Sequence, residues 1–204
     1  MHKIVFLILF GFLSALVSAQ APVVNMESIK HLIENKRAIV LEDHDEIEIK
    51  IVKGKPEILN HRREKILYLK DGHNLSSERS IPYSEKFFNL TDLEAITWIP
   101  KDDGFEKIKV KEIQRLSNIG SSSFYDDMMQ AKFLFPGIQK GAITELNYTY
   151  TISDPHFLFP FYFSSGYNIP IKKTSVKIKY PEEIEMKSAF FGDTSSLKKI
   201  TTNA

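Results

Sequence analysis

Short runs in which apolar and polar side chains alternate recur along the chain. Residues 46–52 place isoleucine at every second position between charged residues, and residues 146–152 and 176–180 repeat the pattern. A period of two is typical of a strand with one buried face and one solvated face. Turn residues separate these runs, and no long helical period intervenes. The sequence predicts a mainly β fold, namely a two-sheet antiparallel β-sandwich with a short N-terminal helix.

Turn residues suggest how the strands are joined. The acidic run at 42–46 is interpreted as a turn that separates a strand at 38–41 from the first alternating strand. Gly54-Lys55-Pro56 predicts a first hairpin, and Asp102-Asp103-Gly104 predicts a second. The polar residues at 115–127 predict a loop.

The N-terminus has the layout of a cleavable export signal over residues 1–19. Lys3 precedes an apolar run from Ile4 to Val17, and small residues lead to Ala19. Cleavage there makes Gln20 the first residue of the mature chain. The run is short for a membrane span, which needs about 20 apolar residues. An uncleaved anchor is the alternative, and we expect export to the periplasm, the cell surface or the medium, with no stable membrane span after cleavage.

The mature chain is predicted to be one domain with short extensions. Residues 20–36 form a lead-in segment in which Asn25 caps a short helix. Residues 37–192 form the β-sandwich, and residues 193–204 form a linker or tail.

Composition argues against nucleic-acid binding and excludes disulfide bonds. The chain has 27 Lys and Arg against 26 Asp and Glu, and loss of Lys3 with the signal balances them. Nucleic-acid binding, which favours a basic surplus, is therefore not expected. The chain has no cysteine, so stability depends on a hydrophobic core that its 15 Phe and 8 Tyr residues suit.

Several segments resemble one known family. They are Ile99 to Gly104, Phe124 to Asp127, Phe133 to Tyr148, Phe157 to Phe163, and Pro170 to Pro181. Together they are similar to a domain of unknown function that stands N-terminal to transglutaminase-like cores in exported bacterial proteins. The resemblance covers residues 37–192. It implies an exported non-enzymatic accessory domain, standing alone or within a longer protein, whose partner is a transglutaminase-like domain or another cell-envelope protein.

No catalytic, cofactor-binding or metal site is assigned from the sequence. The companion cores use a Cys nucleophile with His and Asp, and this chain has no cysteine. Its six histidines lack metal-ligand spacing, and His44 between Asp43 and Asp45 is interpreted as part of a solvated turn. No nucleophile elbow and no phosphate-binding glycine loop occur, so we expect no enzyme activity and no cofactor.

One aromatic segment is the candidate contact surface. If residues 157–163 form a strand, Phe157, Phe159, Phe161 and Phe163 share one face. Burial in the core is one interpretation, and a surface for a neighbouring domain or a sugar is the other. The second interpretation leaves an alternative function open, that of a free-standing carbohydrate- or peptide-binding β-sandwich.

Overall fold

The computed structural model describes residues 21–71, 77–117, 127–158, 160–163 and 169–192, together with residues 195 and 198. The predicted signal peptide, Phe159 and most of the predicted tail lie outside these residues. Nine strands are present in the described part: β1 (Ala38–Val52), β2 (Lys55–Tyr68), β3 (Glu78–Ser84), β4 (Phe88–Lys101), β5 (Gly104–Lys109), β6 (Gln114–Ser117), β7 (Met128–Leu134), β8 (Ile143–Ile152) and β9 (Thr174–Lys179). The prediction of a mainly β fold with a short N-terminal helix is confirmed.

The N-terminal helix is short and depends on its packing. A 3₁₀ turn (Glu27–Ile29) leads into α1 (Lys30–Ile33). The side chain of Asn25 accepts a hydrogen bond from the amide of Ser28 at 3.3 Å. Ile29 is fully buried beside Ile39 and Trp98 of the sheet, which holds a helix too short to persist alone.

The predicted turn at 42–46 is wrong, because β1 runs through it without a break. Its partner β2 supplies cations opposite the acidic run, with Asp45 paired to Arg62 and His44 paired to Arg63 in the register. A bulge between Val40 and Glu42 shifts the pairing by one residue. Opposite charges across two strands stabilise the extended backbone, so an acidic run need not form a turn.

The strands form one hydrogen-bonded sheet in the order β6-β7-β3-β4-β8-β2-β1-β9, with β5 paired to β4. Both predicted hairpins are present, since β1 joins β2 at Val52–Lys55 and β4 joins β5 at Lys101–Gly104. Not every pair is antiparallel, because β9 lies parallel to β1. The segment between β8 and β9 is long enough for such a crossover.

The sheet packs against itself in two layers. β3 meets β4 at a single registered pair, Ser84–Phe88, and turns away from it with β7 and β6. Ile81 of β3 and Phe133 of β7 nevertheless share one core with Ile49 of β1, although β1 lies four places from β3 and five from β7 along the sheet. This packing is consistent with the predicted sandwich, although hydrogen bonds join all the strands.

The turn after β7 uses a glycine that the packing requires. Gly137 has a φ of 65°. A Cβ atom at this position would lie 2.4 Å from Cδ1 of Ile99. The positive φ therefore favours glycine here, and a larger residue would also require the end of the Ile99 side chain to move. The predicted loop at 115–127 also needs correction at its start, because β6 extends to Ser117.

Candidate functional site

Five charged side chains lie between the two layers of the sheet. The register aligns Asp43 of β1 with Glu64 of β2, and Asp45 with Arg62, while Arg79 projects from β3 in the opposite layer. We call Asp43, Asp45, Arg62, Glu64 and Arg79 the buried charge cluster. Charges at such positions are costly unless they are paired, so their contacts determine whether the site is structural or available for binding.

Arg62 is the centre of the cluster. Its Nη2 atom donates to both oxygens of Asp43, at 2.9 and 3.1 Å, and its Nη1 atom donates to Asp45 at 3.2 Å. The side chains of Asp43 and Asp45 are only 10% and 6% exposed, whereas that of Arg62 is 30% exposed. One cation therefore holds two almost completely buried carboxylates.

A second pair joins the two layers. Nη2 of Arg79 donates to Glu64 at 2.6 Å, which ties β3 to β2 across the core. The contact is charge-assisted and short, as expected for a guanidinium and a carboxylate. Because β3 is attached to β4 at only one registered pair, this ion pair helps fix the position of the second layer.

Burial changes the acidity of these groups. Desolvation raises the pKa of Asp43 and of Asp45, and the nearby Arg62 opposes the rise. Desolvation likewise raises the pKa of Glu64, opposed mainly by Arg79. Burial also raises the pKa of the Tyr148 hydroxyl, which lies beside Arg62 in the register. The environment thus disfavours carboxylate charge, and the two arginines partly offset that effect.

The cluster borders a small polar cavity. A space of about 180 Å³ is lined by Arg62, Glu64, Arg79 and Tyr148, among others. Within the described residues, Oδ1 of Asp45 and Nε of Arg79 are buried without a hydrogen-bond partner. Arg79 lines this cavity, whose polar groups and volume suit an ordered water, whereas Asp45 does not line it.

The aromatic segment is not a strand in its described part, so that prediction is wrong. Phe157 ends a 3₁₀ turn (Pro155–Phe157), and residues 160–163 have no regular structure. Pro155 and Pro160 remove backbone donors that a strand interior would need, which explains the irregular path. The shared face predicted for the four phenylalanines is therefore not present as a strand face, and Phe159 lies outside the described residues.

The described phenylalanines occupy two different environments. Phe157 packs on the core, with its ring stacked on Phe87 at 4.7 Å and on Phe88 at 5.6 Å between centroids. Phe161 and Phe163 meet edge to face at 4.7 Å. The guanidinium of Arg62 lies 5.8 Å from the Phe161 ring, so this aromatic pair lies next to the buried charge cluster.

Two histidines contact hydroxyl groups on the other face of the sheet, which the sequence did not indicate. Nδ1 of His44 lies 2.7 Å from Oγ of Ser175, and Nδ1 of His61 lies 2.8 Å from Oγ1 of Thr149. Both pairs are cross-strand neighbours in the register. Strand pairing between distant segments created these contacts, and no local motif in the sequence could have revealed them.

No group of three His, Cys, Asp or Glu side chains placed to hold a metal ion occurs among the described residues. Likewise, the described part of the chain contains no helix long and apolar enough to cross a membrane. The carboxylates of the buried charge cluster already bind arginine, which occupies the position that a cation would need.

Comparison with known proteins identifies one family and a shared fold. The family model of a domain of unknown function with a solved structure, DUF3857, matches residues 57–203. The crystal structure of a putative protease from Parabacteroides distasonis ATCC 8503 is similar, with a TM-score of 0.59 and 15% sequence identity. The similarity covers 72% of this chain and 29% of that protein. No curated protein matches the sequence significantly.

Proposed function

The chain belongs to the DUF3857 family of domains of unknown function, and from that membership we propose that it is an exported, non-enzymatic accessory domain that binds a neighbouring domain. The observation that carries the proposal is the unequal coverage of the similar structure. Most of this chain matches less than a third of a much longer protein. A fold that recurs as one segment of a larger chain is typical of a module that supports another activity.

The chemistry of the described residues supports a non-enzymatic role. The buried acids are engaged with Arg62 and Arg79, so they are not a free pair for acid–base catalysis. Among the described residues, Ser175 and His44 are a hydroxyl and an imidazole in hydrogen-bond contact. This pair lies on neighbouring strands of a sheet face, and no carboxylate hydrogen bond orients the imidazole among the described residues, as a catalytic triad would require.

The segment from Phe161 to Phe163 is the proposed contact surface for a partner domain. Tyr162 is 72% exposed and lies between two half-buried phenylalanines. The exposed tyrosine ring is therefore supported by an aromatic pair that is itself packed. Arg62 contacts the Phe161 ring and is itself held by two aspartates. An exposed aromatic side chain whose neighbours are already fixed by packing loses little conformational entropy on binding. This property is typical of residues that dominate interface energies.

Partner capture tests the proposal directly. The chain is immobilised, and a transglutaminase-like domain from the same organism is passed over it in a biosensor. Tyr162→Ala should weaken capture about tenfold, as expected for a central interface aromatic. Tyr180→Ala is the matched control, because Tyr180 is also an exposed aromatic but lies after β9. Absence of capture by the wild-type chain, or equal losses in both variants, would contradict the proposed surface.

Activity assays test the non-enzymatic part separately. The purified chain should release no ammonia from glutamine substrates with added amines and should not cleave casein. The control variant is Ser175→Ala, which removes the hydroxyl that contacts His44. Turnover by the wild-type chain that is lost in Ser175→Ala would overturn the accessory role and identify a hydrolase.

Carbohydrate or peptide binding by a free-standing domain is the second candidate function, and the exposure of Tyr162 is the observation that favours it. Aromatic faces at a protein surface also bind the apolar faces of sugars. Glycan and peptide arrays probed with the wild-type chain and with Tyr162→Ala distinguish the two functions. Specific glycan binding that needs Tyr162, without capture of a protein domain, would favour this candidate.

A further inference from the structure

Charged side chains alternate in sign across the solvent-facing side of β1 and β9. Strand β1 presents Glu42, His44, Glu46 and Glu48 on this side, and β9 places Lys177 beside Glu46 and Lys179 beside Glu48. Glu46 accepts contacts from Lys177 at 3.5 Å and from Lys179 at 2.7 Å. Each lysine at this end of β9 therefore has an acid beside it on β1.

This pattern of ion pairs is interrupted at His44. The residue beside His44 on β9 is Ser175, and the residue beside it on β2 is Arg63. Neither Arg63 nor Lys173 forms an ion pair with any described residue, although both lie close to His44. Arg63 and Lys173 therefore flank His44 as two cations without an ion-pair partner among the described residues.

These residues surround an open cavity of about 210 Å³, which is lined by Glu42, Asp43, His44, Arg63, Lys173 and Ser175. Asp43 adds no carboxylate charge to this side, because its side chain lies on the opposite face of the sheet, where both its oxygens accept from Arg62. Glu42 is the one remaining acid of the lining. With both cations counted, the lining carries a positive excess, and it is large enough for a group of a few heavy atoms.

The contact between His44 and Ser175 supplies a further donor whichever tautomer the imidazole adopts. If Nδ1 of His44 accepts from the Ser175 hydroxyl, Nε2 carries a proton and can donate. If Nδ1 donates to Ser175, the hydroxyl hydrogen is free to donate. The 2.7 Å contact thus fixes the pair while leaving one donor for a ligand.

We propose that the cavity between β9, β1 and β2 binds a small oxyanion, namely a carboxylate or a phosphate monoester. Arg63 binds the anion through its guanidinium, Lys173 contributes a second positive charge, and the His44–Ser175 pair donates a hydrogen bond. Arginine and lysine are the residues that recognise such groups, and charge-assisted hydrogen bonds give most of the affinity. The cavity is separate from the aromatic contact surface, so the proposal stands independently of the proposed accessory function.

The test is a titration of the isotope-labelled chain, purified after export, followed by two-dimensional amide NMR. Sodium phosphate and sodium acetate are added in separate experiments, with ionic strength held constant because exposed charges are screened by salt. The amides of His44 and Ser175 should shift and saturate with at least one anion. Saturation with phosphate alone assigns a phosphate monoester, and saturation with acetate alone assigns a carboxylate.

Variants identify the side chains that bind. Arg63→Gln and Lys173→Gln should each raise the dissociation constant about five- to tenfold, as expected for loss of one charge-assisted contact. Lys177→Gln is the matched control, because Lys177 is an exposed lysine four residues further along the chain that pairs with Glu46. The dissociation constant of this variant should equal that of the wild-type chain. Shifts that rise linearly without saturation for both anions, or a loss in Lys177→Gln equal to that in Lys173→Gln, would overturn the proposed site. All three substituted residues are exposed, and unchanged dispersion of the remaining amide signals verifies that the fold is intact.

Discussion

Replacement of Arg62 by methionine should destabilise the domain more than a surface substitution can. The variant keeps an unbranched apolar stem but removes the guanidinium that contacts Asp43 and Asp45 at 2.9 to 3.2 Å. Both carboxylates then remain buried without a cation. Removing one partner of a buried pair costs about 3–5 kcal/mol, because the remaining charge is uncompensated.

The exposed fraction of Arg62 determines where in the range of about 3–5 kcal/mol the loss of unfolding free energy should fall. Its side chain is 30% exposed, so water reaches part of the site and screens the loss. We therefore expect a loss of about 3 kcal/mol, near the lower limit of the range. In urea, with a denaturant slope of roughly 2–3 kcal/mol per molar for a chain of this size, the unfolding midpoint should fall by about 1–1.5 M.

The pH dependence separates an electrostatic cause from lost packing. Burial raises the pKa of Asp43 and Asp45 in the folded state. A carboxyl with a raised folded pKa contributes stability that is fully present below its unfolded pKa and is lost as pH rises through the folded value. Protonated carboxyls do not need Arg62, so the deficit of Arg62→Met should be smaller at about pH 5 than at about pH 7.5.

The assay is urea unfolding followed by circular dichroism at both pH values. A triple variant, Asp43→Asn, Asp45→Asn and Arg62→Met, should recover most of the lost stability, since it removes the buried charges together. A deficit below about 1 kcal/mol, the level of an exposed ion pair, would refute the reasoning. A deficit of equal size at both pH values would show that lost packing, and not uncompensated charge, is responsible.

Three further predictions concern packing, backbone conformation and processing. Phe157→Ala should cost about 2–3 kcal/mol of unfolding free energy, because the ring stacks on two core phenylalanines, while Tyr162→Ala should stay within about 0.5 kcal/mol of the wild-type chain. The reverse order in urea unfolding would contradict the two environments assigned to the segment. Gly137→Ala should lower the free energy of unfolding more than Gly54→Ala, since both positions have positive φ but only a Cβ at Gly137 meets a neighbouring side chain. The expected losses are about 2 and 1 kcal/mol. Equal shifts of the two urea midpoints would contradict the close approach. N-terminal sequencing of the chain recovered from the envelope or medium should begin at or near Gln20, and recovery of intact chain from the cytoplasm would contradict export.

Period-two alternation and turn chemistry were sufficient to predict several of the strands. They located β8 and β9, as well as both hairpins at Gly54 and Gly104, because these signals are local. The Phe-Pro-Gly turn was also predictable, since proline and glycine restrict the backbone wherever they occur. The family resemblance depended on the same local segments.

Interactions between distant segments decided the rest. The acidic run at 42–46 is strand rather than turn because β2 places Arg62 beside it. The register that pairs the two strands cannot be deduced from the residues of either strand alone. The described phenylalanines at 157, 161 and 163 lie on an irregular path because prolines interrupt the segment, and of these three Phe157 packs on the core. The contact between His44 and Ser175 joins residues 131 positions apart. Sequence alone determined that the alternating segments are extended and where two hairpins join them. The tertiary structure determined which charges meet, because burial and pairing depend on neighbours that the chain brings together only when it folds.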